Sequence, residues 1–285
     1  MALFRAVEST GSRQPPLFSD PLAAGLLPPS LRVVARLARV PVVGRVIPSI
    51  IDIGWPRTRS SGVVRTRLID GLVVDAIELG ATQLVLLGAG YDSRAWRLSE
   101  TRSIAVFEVD HPATQRAKRT RLEALGAPAG RVTFVAVDFE RDDVASQLAD
   151  AGFEGKAKSV VLWEGVVSYL NAPSVDRNFD LLSHICSEGS RLIFTYVDAR
   201  ALDGSIEFDE ARRWKSWVRF NGEPFIFGFH PGEIAAYLGG RGFRLDSDRT
   251  TAQVAQDYAT SPGRIELGSD LYRVAVATRT APCPA

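Results

Sequence analysis

Gly88-Ala89-Gly90, followed by Tyr91-Asp92, is the stretch best suited to chemistry. It leaves an apolar run, Leu84 to Leu87, and leads into a segment with helical character. Glycines in such a turn let the main chain bend sharply and approach a ligand with no Cβ in between. A strand, a tight turn and a helix start form an anion- and nucleotide-binding corner. Twenty-two residues after Gly88, the apolar run Ile104 to Val109 ends in Asp110. A carboxylate there is placed to accept from both ribose hydroxyls. The dinucleotide fingerprint needs a third glycine, and Ser93 holds that position. With no pyrophosphate to cradle, the expected ligand is an adenosine bearing an amino acid, S-adenosyl-L-methionine. A plain βα turn is the alternative.

Two further strand ends carry acids. Arg131 to Asp138 alternates into V-A-V-D and is followed by Phe139. That pair fits an adenine site, with the carboxylate accepting from the exocyclic amine and the ring holding the base. The alternative for Asp138 is an N-cap for a helix over Val144 to Ala151. Lys158 to Trp163 ends in Glu164, at the crevice where open α/β sheets bind ligands. Tyr169 follows closely and is expected at the reaction centre. His111 lies beside Asp110, on the cofactor side. His230 is the one candidate for a general base.

Four motifs occur in order: L-G-A-G-Y-D-S-R-A-W-R-L (Leu87 to Leu98), F-E-V-D-H-P (Phe107 to Pro112), V-D-F (Val137 to Phe139) and W-E-G-V-V-S-Y-L (Trp163 to Leu170). Together they resemble the leucine carboxyl methyltransferase-like family of S-adenosylmethionine-dependent O-methyltransferases, which has mycobacterial, actinomycete and polyketide-tailoring members. R-A-V-E-S (Arg5 to Ser9), L-F-S-D-P-L-A (Leu17 to Ala23) and R-T-R-L-I-D (Arg65 to Asp70) fit the same family. The resemblance is good to about residue 200 and looser beyond. It implies that Arg65 binds the methionine carboxylate, a planar cation meeting a planar anion. The alternative for Arg65 is a surface ion pair with Asp70 or Glu78. Arg5 is a second basic candidate, and the family places a cofactor-contacting glutamate at Glu164. In the phosphatase-modifying members a basic residue follows the adenine-site pair. Glu140 stands there, so a phosphatase substrate is not carried over.

These residues need a scaffold, and the chain supplies one. Its 285 residues, 46% hydrophobic and 24% charged, suit a single α/β domain with an ample core. The expected fold is a class I methyltransferase: a Rossmann-like seven-stranded sheet of order 3-2-1-4-5-7-6 with a helical cap. The cap is assigned to residues 1–75 and to an insertion at 199–229, rich in aromatics (Phe208, Trp214, Trp217, Phe220, Phe225, Phe227). Leu31 to Val40 reads as an amphipathic basic helix, first as a surface helix packing its apolar face; the sharper readings are a lid, which the resemblance favours, or a membrane-surface contact. Phe243 to Arg249 and Leu271 to Thr278 are expected to close the sheet as an antiparallel pair. The cations of the helix after Pro112 (Arg116, Lys118, Arg119, Arg121) are expected mostly in solvent, and His184 in packing.

With 34 basic and 33 acidic residues the net charge is +1, so no global field recruits nucleic acid. Cys186 and Cys283 have no neighbouring ligands for zinc, and their number fits a reducing cytoplasm. Met1 to Ser9 lacks the apolar core of a signal peptide, and no run reaches the roughly 18 to 20 residues of a membrane span. The expected partner is a small-molecule substrate, without stable membrane insertion; a homodimer is left open. Only three histidines are present. A carboxylate, with a pKa near 4, needs no base, whereas a phenol near 10 benefits from one. The expected activity is therefore O-methylation of a carboxylate or acidic hydroxyl of a small, polyketide or other secondary metabolite. A nicotinamide-dependent oxidoreductase is the competing enzyme reading, disfavoured by Ser93 and by the absence of a Tyr-x-x-x-Lys pair. A catalytically silent binding protein on the same fold is the third.

Overall fold

A computed structural model describes residues 1–10, 15–127, 132–139, 141–208, 214, 224–258 and 267–280. Arg131, Glu140, Trp217, Phe220 and Cys283, named above, lie outside these residues.

Seven strands form one sheet: β1 Gln83–Leu87, β2 Ala105–Asp110, β3 Val132–Ala136, β4 Ser159–Trp163, β5 Arg191–Val197, β6 Phe243–Thr250 and β7 Tyr272–Arg279. Their order is β3-β2-β1-β4-β5-β7-β6, as expected. The first five are parallel, while β7 runs antiparallel to both β5 and β6. Parallel strands covered on both faces are near-continuously apolar, which is why Q-L-V-L-L and S-V-V-L-W are buried throughout. The two-residue period sorts each strand between two cores. Val85, Leu87, Phe107, Val161, Trp163 and Phe194 pack with Phe179 on one face. Leu84, Leu86, Val106, Leu162 and Ile193 pack with Ile69 and Val73 on the other.

The chain enters through five helices: α1 Ala2–Glu8, α2 Ala23–Leu26, α3 Pro29–Leu37, α4 Pro41–Gly54 and α5 Thr58–Glu78. Helix α4 goes beyond the sequence expectation. Pro41 occupies its first turn, where a missing N–H is harmless. Pro48 lies inside, and tertiary packing of Ile47 and Ile51 on Val7 and Ala38 outweighs its lost hydrogen bond. After β6, Thr251–Asp257 is also helical; its capping box, Thr250 with Gln253, was readable in the sequence.

Two expectations about charges are corrected. Lys118, in α7 Pro112–Ala124, is buried, because it reaches Glu108 on β2 at 2.7 Å under the sheet; Arg116 and Arg119 are exposed. Burial pushes the Glu108 carboxyl up to about 7 despite that ammonium. His184 is exposed and bonded to the Asp180 carbonyl at 2.6 Å, not packed in the core. In the second aromatic segment, Trp214 joins Val197, Leu271 and Tyr272, and its indole donates to the Pro56 carbonyl at 3.1 Å. That bond ties residue 214 to the N-terminal helices.

Candidate active site

The glycine turn sits where the strand order reverses, between β1 and β4 beside β2. Gly88 and Gly90 have φ of 65° and 47°, a left-handed backbone that side chains disfavour. A Cβ on Gly88 would also lie 2.4 Å from Val166 Cγ2. The Gly88 and Ala89 amides donate to the Val109 carbonyl at 2.8 and 3.2 Å. Asp110 then closes the corner. Its carboxylate accepts from the Gly90 amide at 2.5 Å and from the His111 amide at 2.7 Å. Burial raises its pKa, and the two amides oppose the rise. Each oxygen keeps a further lone pair for a ligand hydroxyl.

Around the turn lies a cavity of about 240 Å³, lined by Arg5, Arg65, Gly88, Ala89, Gly90, Asp92 and Glu164 among others. The fold thus brings seven of the candidate cofactor residues to one wall. They are wired together. Arg65 donates to Glu164 at 2.8 Å and stacks over the Tyr272 ring, 4.5 Å from its centroid. It is buried, so the surface pair with Asp70 or Glu78 is not formed. Arg94, at the start of α6 Arg94–Arg97, bonds Asp70 and Glu164 at 2.8 Å each and also Asp92. Arg97 holds the other oxygen of Asp70 at 2.6 Å. Arg5 bonds Asp20 at 2.8 Å and the Tyr91 carbonyl. Asp20 in turn accepts from the Ala23 amide, at the start of α2, at 2.9 Å. Burial alone would raise the pKa of Glu164, but Arg94 and Arg65 outweigh it and hold the carboxyl below its ordinary value. Asp92 is likewise held well below the usual range, with Arg94 and then Arg5 overcoming burial.

The remaining candidates stand apart from that wall. His111 caps α7, its Nδ1 accepting from the Ala113 amide at 3.2 Å. The Val137 amide donates to the Asp110 carbonyl at 2.9 Å, which sets Asp138 and Phe139 just beyond the β2 terminus. The N-cap of α8 Val144–Asp150 is Asp143, so Asp138 does not cap it.

A second, larger cavity of about 640 Å³ adjoins the first; Arg65 and Gly165 line both. Its walls are Leu3, Phe4, Leu31, Ile51, Trp55, Tyr169, Trp214, Phe225 and Tyr272, with Thr58 and Ser61 as hydroxyls. Ser61 is bonded to Thr251 at 2.8 Å. The buried Thr58 hydroxyl has no protein partner among the described residues. The Tyr169 ring packs against Phe225, tilted by 42° with centroids 5.4 Å apart. His230 lines neither cavity; it is 43% exposed and sits 3.6 Å from Asp203. Among the described residues no His, Cys, Asp and Glu group is arranged to hold a metal.

Sequence reasoning missed Arg94, Asp20, Tyr272 and the chamber residues Thr58 and Trp55. A signal existed for Arg94 alone, in the Asp92-x-Arg94 pair beside the glycine turn.

The strand order and the crevice it opens define a class I, Rossmann-like methyltransferase fold. A crystal structure described as a "putative methyltransferase" from Thermobifida fusca superposes with a TM-score of 0.62 over 98% of this chain and 94% of that one; at 17% identity it shows the fold alone. A "Putative S-adenosyl-L-methionine-dependent methyltransferase" of Mycolicibacterium gilvum is 29% identical over 95% of this chain and 89% of its own length. One of the same name from Mycobacterium bovis BCG is 36% identical over 81% of this chain and 73% of its own. The leucine carboxyl methyltransferase model matches residues 1–183, and the chain belongs to that family.

Proposed function

We propose that the protein is an S-adenosyl-L-methionine-dependent O-methyltransferase acting on a carboxylate or acidic hydroxyl of a small, largely apolar metabolite of polyketide or other secondary origin. The observation that carries this reading is the meeting of a charged cavity and an apolar one at Arg65 and Gly165.

The donor set of the smaller cavity suits the cofactor. Arg65 and Arg5 face its carboxylate and Glu164 or Asp92 its ammonium, while Asp110 holds the ribose. Asp138 and Phe139 hold the adenine beyond the β2 end. The bound sulfonium supplies an activated methyl group. The protein then supplies alignment, which contributes about 7 to 11 kcal/mol when the attack geometry is fixed. The 1–75 and 199–229 segments act as a cap that keeps the acceptor dry. Tyr169 lines the acceptor side. Thr58 offers an unused hydroxyl.

No histidine lines either cavity, which supports an acceptor already anionic at neutral pH. His230, the sequence candidate for a base, is therefore assigned no step. The nicotinamide reading is not favoured, given the family. A silent binding protein is separated from an enzyme by turnover alone.

The test is calorimetry with S-adenosylhomocysteine on wild type and Asp110→Ala, followed by incubation of aromatic and aliphatic acids with S-adenosylmethionine. Micromolar binding weakened in the variant, with methyl ester seen by mass spectrometry, is the expected result. No binding to folded wild type would sink the reading.

A further inference from the structure

Helix α4 carries two adjacent apolar stripes, about 100° apart, and only one of them is covered. Val43, Ile47 and Ile51, spaced by four, pack inward on α1 and α3. Val42, Val46, Ile50 and Ile53, spaced by four, four and three, form a second stripe that faces out. Val42 is 72%, Ile50 60% and Ile53 74% exposed. From α3, Val33 and Leu37, with Val40 after it, are exposed as well. The apolar arc of an amphipathic helix normally faces the core across its whole width. So many aliphatic side chains in water on neighbouring helices mark a binding face.

The charge around the face says what binds. From Pro21 to Ile51 the chain has no Asp or Glu and four arginines, at 32, 36, 39 and 45. Arg36 and Arg39 are exposed beside Val33, Leu37 and Val40. The next acid, Asp52, is held by Arg59 at 2.8 Å. Aliphatic side chains flanked by arginines, with acids excluded, match an anionic lipid surface, into which such helices sink their apolar side while the cations meet head groups. No helix among the described residues is long and apolar enough to cross a membrane, so the contact is peripheral.

We infer that α3 and α4 dock the protein on an anionic lipid bilayer. The face leads into the larger cavity, because Leu31 and Trp55 are exposed and also line that chamber. An acceptor with an aliphatic body passes from bilayer to chamber by that route, a consequence that rests on the methyltransferase reading.

The experiment is co-sedimentation of the full chain with sucrose-loaded vesicles, either phosphatidylcholine alone or an equal mixture with phosphatidylglycerol. Wild type is expected on the mixed vesicles and about tenfold less on the neutral ones. Combined Val42→Ser, Ile50→Ser and Ile53→Ser is expected to weaken binding about tenfold or more. Arg36→Glu with Arg39→Glu is expected to abolish the preference for anionic vesicles. All five positions are exposed, and melting by circular dichroism checks that the variants fold. Absence of wild-type binding, or equal binding by the serine variant, overturns the inference. So does sedimentation velocity showing a wild-type dimer that the serine variant loses, since a second copy would then own the face. The vesicle readout requires no turnover, so its failure leaves the methyltransferase reading standing.

Discussion

The cavity under the glycine turn is walled by paired charges; the chamber beyond Gly165 is walled by rings and aliphatic side chains. In and behind the wall of the first, Arg65, Arg94, Asp70, Asp92 and Glu164 each answer another's charge, and Arg5 and Asp20 extend the lattice. Every member is held by at least one other, so the geometry leaves little freedom. In the second, Phe4, Trp55, Trp214 and Phe225 touch through apolar surface, where volume matters more than direction. Their sources differ as well. Every lining residue of the charged cavity falls within the family-matched 1–183, whereas Trp214, Phe225 and Tyr272 follow it. A shared donor needs one fixed lattice. A changing acceptor needs a wall that can be redrawn without disturbing that lattice.

The strongest way to break this contrast is Arg94→Ala. It leaves Asp70, Asp92 and Glu164 short of a common cation in a buried site, and losing one partner of such a cluster costs about 3–5 kcal/mol. Urea unfolding should show that loss; a change below about 1 kcal/mol would mean the lattice is ornamental to stability. Gly88→Ala comes next. Forcing a side chain into the left-handed region costs about 1–2 kcal/mol, and the 2.4 Å approach to Val166 adds to it. S-adenosylhomocysteine affinity should fall by about tenfold or more. Asp110→Ala removes the acceptor that fixes the turn, and calorimetry should read a loss of about 1–3 kcal/mol in the same ligand.

The lattice also sets a pH limit. Asp92 and Glu164 titrate below their unfolded values, so their contribution is present in full above pH ~4 and drains away as pH falls through the folded values. Melting temperature should therefore drop below pH ~4, while Glu108, its carboxyl raised to about 7, lowers stability as pH rises from ~4 through about 7; a plateau continuing to strongly acidic pH contradicts the assignment. The smallest effect sharpens the chamber side. Thr58→Val removes a buried hydroxyl with no partner among the described residues, so stability should hold or rise slightly while acceptor KM rises severalfold, about 1 kcal/mol, with S-adenosylhomocysteine affinity unchanged.

Much of this was legible in the sequence. The apolar runs at 84–87, 104–109 and 158–163 could only be buried strands, and the turn and strand-end acids followed from them. The closing strands were readable as further apolar runs, while the sheet order came with the family that the motifs resemble. What escaped depended on partners far along the chain. Lys118 looks like any helix-surface cation until β2 places Glu108 against it. Tyr272 gives no local hint that it lies under Arg65. Pro48 masks helix α4 from a local reading, and tertiary packing sustains that helix. His230 stood out because histidines are few, and rarity carries no position.

Helix α5 has one further consequence. Thr58, Ser61 and Arg65 occupy one side of it. At 1.5 Å per residue, Thr58 and Arg65 are roughly 10 Å apart along the axis. On the proposed reading, a single rigid rod then works as a ruler: an acceptor anchored at the Thr58 hydroxyl presents its reacting group to the donor only if its body spans that length.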